Sequence, residues 1–140
     1  MKHFFLGLVL CATLPCFAAD VADEKDLCGT WAPAQAELGG TPLGAAFLKT
    51  TLHMDHGKYV VRAESEDKGT YTIDAGVKPK IMDIVGVEGP NAGKKIPAIY
   101  ELHGDTLRIS YGLAGAARPT EFKSPKGSTV LLITYRRKGS

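Results

Sequence analysis

The chain has 140 residues, of which 44% are hydrophobic and 23% charged, with a formal net charge of +2 and three cysteines. That length suits one domain. Near-neutrality argues against nucleic acid as a partner, since nucleic-acid binders carry a clear basic footprint, and the one basic run, Arg136-Arg137-Lys138, reads as a solvated strand end.

The first segment in chain order is a targeting signal. Lys2 and His3 make a short polar start, residues 4–14 are almost wholly apolar, and Pro15-Cys16-Phe17-Ala18-Ala19 follows. The apolar stretch is too short for a membrane span, which takes roughly 20 residues. A positive start, a short apolar run and a small-residue exit mark a secretory signal peptide. Cleavage is expected after Ala18, which places the small residues Ala18 and Cys16 at the two positions that the processing enzyme reads. Lipid attachment is not expected, because Cys11 follows Leu10 and Cys16 follows Pro15 rather than a small residue. The protein is thus expected to be periplasmic or secreted, with no membrane span. Cys28 is then the one cysteine left, so no internal disulfide can form. Beside Leu27 and just before a strand, it reads as buried.

Residues 19–26 are polar and acidic and read as a mobile tail, with a helical turn at 23–27. A single domain is expected over residues 27–138. Strand signals recur through it, at residues 29–35, 50–54, 58–63, 69–74, 80–85, 96–102, 106–111 and 129–136. Turn chemistry separates them, as in Asp55-His56-Gly57, Asp67-Lys68-Gly69, Gly89-Pro90-Asn91-Ala92-Gly93 and His103-Gly104-Asp105. Short β-branched or aromatic runs between such clusters predict a β-meander. One hairpin fixes its own register: with Leu102 opposite Leu107, the side chains of Tyr100, Leu102, Leu107, Ile109 and Tyr111 share one face, leaving 103–106 as the loop. The one helical candidate in the domain is residues 42–49, with Thr41 as cap, Pro42 at the first position and Leu43, Phe47 and Leu48 as the apolar stripe. Eight strands in meander order predict an all-β fold, an eight-stranded antiparallel up-and-down barrel with one short helix; a β-sandwich is the alternative.

Signals for chemistry are sparse. His53 and His56 have H-x-x-H spacing, but residues three apart on a strand face opposite ways, so no metal site is expected and both read as exposed turn histidines. Gly89–Lys94 lacks the first glycine and the Ser or Thr of a phosphate loop. No Gly-x-Ser-x-Gly elbow is present, and nothing marks a histidine as a base for Cys28. No catalytic residue, cofactor or enzyme activity is expected.

Gly29-Thr30-Trp31 near the start of the domain, with Arg136 and Arg137 at its end, resembles the mark of lipocalin-type barrels. In such a barrel Trp31 plugs the closed end, Gly29 permits close backbone approach and an arginine lies over the indole face. Further stretches widen the resemblance: Leu27–Trp31, Pro79–Ile84, Gly89–Lys94, Ile99–Ile109 and Arg118-Pro119-Thr120-Glu121-Phe122. Together they make the chain similar, from Leu27 to about Arg137, to a small bacterial lipocalin-like domain family of unknown function, the planctomycete-type repeat domain. The resemblance implies the barrel fold and no reaction, and Cys28 stands where that family usually has a polar residue. By fold analogy, which does not settle function, the expectation is a small apolar or amphipathic ligand, with Trp31, Tyr100, Tyr111, Arg118 and Glu121 as candidate contacts. The alternative is a module that binds an exported protein, such as an inhibitor or immunity protein, through loops 86–95 and 112–128.

Overall fold

The computed structural model of the chain describes residues 15–139. Most of the expected signal segment, residues 1–14, lies outside them.

Among the described residues nine strands and two helices follow in order: α1 (Pro15–Leu27), β1 (Gly29–Leu38), β2 (Thr41–Pro42), α2 (Ala45–Leu48), β3 (Thr51–Asp55), β4 (Lys58–Arg62), β5 (Glu66–Asp74), β6 (Lys80–Glu88), β7 (Lys95–His103), β8 (Thr106–Gly112) and β9 (Val130–Arg137). Strands β3 to β9 pair in sequence, each antiparallel to the next, and β1 pairs with both β3 and β9. That second pairing closes an eight-stranded up-and-down barrel; β2 is an extra stub on β1. Closure satisfies the backbone groups that an open sandwich would leave at its edges. All eight expected strands are present, with ends moved by a few residues.

Strand β1 manages two partners because it is long and bent. Its first residues, Gly29–Trp31, pair with β3, while Trp31–Leu38 pair with β9 across a bulge at Pro33/Gln35. A bulge bends a strand and steepens its twist, which carries β1 round the barrel. A second irregularity at Lys68/Gly69 in β5 has a steric reason. Gly69 faces inward opposite Tyr59, and a Cβ there would lie 2.7 Å from the Tyr59 ring and 2.0 Å from the Val85 carbonyl.

The β7–β8 hairpin has the register read from the sequence, with Leu102 opposite Leu107, Tyr100 opposite Ile109 and Ala98 opposite Tyr111. The loop is shorter than expected, because His103 and Thr106 also pair and leave Gly104-Asp105 as the turn. The β3–β4 turn is equally tight. His56 and Gly57 span it with φ of 41° and 81°, the positive values that a mirror-image hairpin turn requires.

The helix expected over residues 42–49 is shorter. Gly39 and Gly40, both at positive φ, fold Thr41-Pro42 back against Glu37-Leu38 as β2. Thr41 and Pro42 are therefore strand residues, and Gly44 takes the N-cap position of α2 without a side-chain hydrogen bond.

Residues 19–26, read as a tail, belong to α1 and are tied to the barrel. The Asp20 carboxylate accepts from the Ala75 N–H at 2.7 Å. Asp23 accepts from the Tyr100 hydroxyl at 2.7 Å and pairs with Lys80 at 2.8 Å. The helix ends in Leu27, fully buried over the closed end of the barrel. Beneath it Trp31, also fully buried, donates its indole N–H to the Leu27 carbonyl at 2.9 Å. The Arg137 guanidinium lies 4.2 Å from the indole centroid and donates to the carbonyls of Asp26 and Cys28. A Cβ on Gly29 (φ +134°) would sit 3.0 Å from that guanidinium. The plug, the glycine and the covering arginine thus occupy the places expected of them.

Candidate functional site

At the end opposite α1 the barrel is hollow. A cavity of about 210 Å³ lies between the strands, partly enclosed. Its wall is made by inward-facing residues, which alternate along each strand, among them Met54, Met82, Ile84, Ile109 and Ile133. At the mouth the lining includes Phe47 from α2, Leu113 just after β8 and Leu131 near the start of β9. Four of the five tyrosines, Tyr59, Tyr71, Tyr111 and Tyr135, line the space.

The polar groups of this lining are few and differently satisfied. Tyr111 and Tyr135, on adjacent strands, share a hydrogen bond at 2.8 Å between their hydroxyls. Burial raises the pKa of both well above the ordinary phenol range. Burial also raises Tyr59 to about 12, with the negative charge of Asp67 adding to the shift. Asp67 is only 8% exposed. Its carboxylate accepts from the side-chain amide of Asn91 at 2.8 Å and from the Asn91 N–H at 3.4 Å, so the β6–β7 loop is pinned beside the mouth. Tyr71 is 3% exposed and its hydroxyl makes no well-formed hydrogen bond. Burial raises its pKa, the Gly57 backbone partly offsets this, and the charges of Cys28, Glu24 and Asp55 add to the rise.

Of the five residues proposed from the sequence as ligand contacts, Tyr111 lines the cavity. Trp31 and Tyr100 instead fill the closed end; Tyr100 is fully buried, with its hydroxyl on Asp23. Arg118 lies on the outer face of the barrel. It pairs with Asp83 and donates to the Ala98 carbonyl at 2.9 Å, fastening the β8–β9 connection to the wall. Phe122 holds the same connection down, 4.4 Å from the Arg108 guanidinium. Glu121 is exposed, 3.8 Å from Lys123. Arg118 and Glu121 therefore face away from the cavity, because the connection runs along the barrel's side rather than over its mouth. Tyr135 and Asp67 also line the cavity. The alternation Leu131-Ile133-Tyr135 marks Tyr135 as inward-facing, whereas Asp67, in a turn-like Asp-Lys-Gly, gives no such signal.

A second constellation lies at the closed end. Cys28 is half-buried rather than buried, because Leu27 takes the core position and Cys28 sits at the junction of α1 and β1. Its Sγ is 3.2 Å from the Glu24 carbonyl and 3.6 Å from His56 Nδ1. His56 Nδ1 is in turn 2.8 Å from Asp55 Oδ1, and the hydrogen bond to His56 holds the Asp55 carboxyl below its usual range. His53, the other half of the H-x-x-H pair, is 3.0 Å from Thr30 Oγ1 instead.

No family model, curated protein or solved structure matches the chain. Its chemistry rests on the geometry above. Among the described residues no helix is long and apolar enough to cross a membrane.

Proposed function

We propose that the protein binds a small amphipathic molecule in the open end of its barrel. The observation that carries this reading is the cavity of about 210 Å³ with an apolar wall. It exceeds the roughly 150 Å³ of an apolar cavity that takes up benzene, so a single ring with a short substituent suits it. Among the described residues, Asp67 is the one carboxylate of the lining. A neutral or cationic polar end fits beside it; an anionic end would meet its charge at low dielectric, where repulsion is strong.

The test uses indole, benzylamine and benzoate as probes, titrated into isotopically labelled protein and followed by amide chemical shifts. Indole and benzylamine are expected to shift residues of the lining, and benzoate to leave them unmoved. An Ile84→Phe variant, which fills the space, is expected to weaken binding at least about tenfold, the order of one or two lost methylene contacts. No shift with any probe at millimolar concentration would overturn the reading.

The resemblance to lipocalin-like domains agrees with the fold and adds no ligand. Export, also part of the proposal, is compatible with the packing of α1. Cleavage after Ala18 would leave Asp20, Asp23 and Leu27, the residues that anchor the helix.

A further inference from the structure

We infer that Cys28, Asp55 and His56 form a binding site for a zinc-type divalent cation, outside the barrel and at the end away from the cavity. The three donor atoms lie within 4.8 Å of one another. Thiolate, imidazole and carboxylate are the donor types that zinc takes. The spacing fits as well as the chemistry. Zn–S and Zn–N bonds of about 2.3 and 2.1 Å at a tetrahedral angle put sulfur and nitrogen about 3.6 Å apart; Cys28 Sγ and His56 Nδ1 are 3.6 Å apart. The Asp55–His56 contact of 2.8 Å is a hydrogen bond, and the cation would replace its proton, separating the two atoms by a few tenths of an ångström. Cys28 would likewise give up its bond to the Glu24 carbonyl. Metal ligands bind deprotonated, so uptake releases protons.

The surroundings favour a cation over catalysis. In a Cys-His-Asp nucleophile the thiol and the carboxylate address opposite nitrogens of the imidazole. Here Nδ1 is the nearer nitrogen to Sγ and is also the one on Asp55. Such convergence on one point is what coordination needs. The backbone supports it, because the tight β3–β4 turn holds His56 at φ 41° and presents Asp55 and His56 together toward the start of β1. Three protein ligands leave the fourth zinc position open to water or to an external donor, as in zinc sites that are not purely structural.

The experiment is a cobalt titration of the full chain, with Cys11→Ser and Cys16→Ser so that Cys28 is the one thiol, under reducing conditions. A near-ultraviolet thiolate-to-cobalt band is expected to saturate at one ion per chain and to be bleached by zinc. Cys28→Ser is expected to abolish the band. His56→Asn, chosen because Asn accepts positive φ, and Asp55→Asn are each expected to weaken binding at least about tenfold, the minimum seen for lost supporting groups around metals. His53→Ala is expected to leave it unchanged. Circular dichroism confirms the fold of each variant. Absence of the band, or a band of undiminished affinity in the folded His56→Asn and Asp55→Asn variants, would overturn the assignment.

Discussion

Two tyrosines of the cavity differ in one respect that stability measurements can read. The Tyr111 hydroxyl is bonded to that of Tyr135, whereas the Tyr71 hydroxyl makes no well-formed hydrogen bond. Removing one member of a buried pair strands the other, at a cost of about 1–3 kcal/mol, while deleting an already unpaired group removes a penalty. Tyr111→Phe is therefore expected to lower unfolding stability by about that amount, and Tyr71→Phe to leave it unchanged or raise it. Urea denaturation of the two variants checks this; equal losses would show that Tyr71 is satisfied in solution. The alternation of apolar residues makes Tyr59, Tyr71 and Tyr111 legible as inward-facing. Which hydroxyls meet depends on distances across the barrel, and no spacing along the chain carries them.

Helix α1 was the least legible element. Its residues 19–26 are polar and acidic and offer no apolar stripe, so their pattern reads as a tail. Their partners come from far along the chain: Ala75, Lys80 and Tyr100 are 55, 57 and 77 residues away from the acids they meet. The helix is held by these contacts and by Leu27 and Arg137 rather than by its own propensity, as helices usually are. Asp23→Ala would leave the Tyr100 hydroxyl without its partner at the buried end of the barrel. A loss of about 1–3 kcal/mol is expected, with faster hydrogen exchange in α1 than in the β7–β8 hairpin. Unchanged protection in α1 would mean that Leu27 and Arg137 suffice. The shortened α2 teaches the same lesson in reverse. Thr41-Pro42 has good capping chemistry, but the Gly39-Gly40 turn offers those residues strand pairing on β1 instead.

At the scale of the whole molecule, the five tyrosines share one property. Each has its pKa raised in the folded state, with burial as the first cause. An acid whose folded pKa is raised binds its proton more tightly when folded. Its contribution to stability is full below the unfolded value near 10 and is lost as pH rises toward the folded value, about 12 for Tyr59. The barrel is thus expected to unfold cooperatively in strong alkali, with phenolate absorbance appearing together with loss of circular dichroism. Smooth ionisation around pH 10 with the barrel intact would count against this burial.

The eight strands, the closing pair's glycine and tryptophan, and the register of the β7–β8 hairpin were all determined by the sequence itself. They rest on period-two alternation, turn residues and one-residue slips that would expose a hydrophobic face, all of which are local. Only the tertiary structure decided the rest. It placed Arg118 and Glu121 outside, left a cavity of about 210 Å³ at one end of the packed core, and brought Cys28 to His56 across 28 residues. Those outcomes depend on how far the barrel closes and on which loop covers which wall, and such long-range distances leave no trace in local pattern.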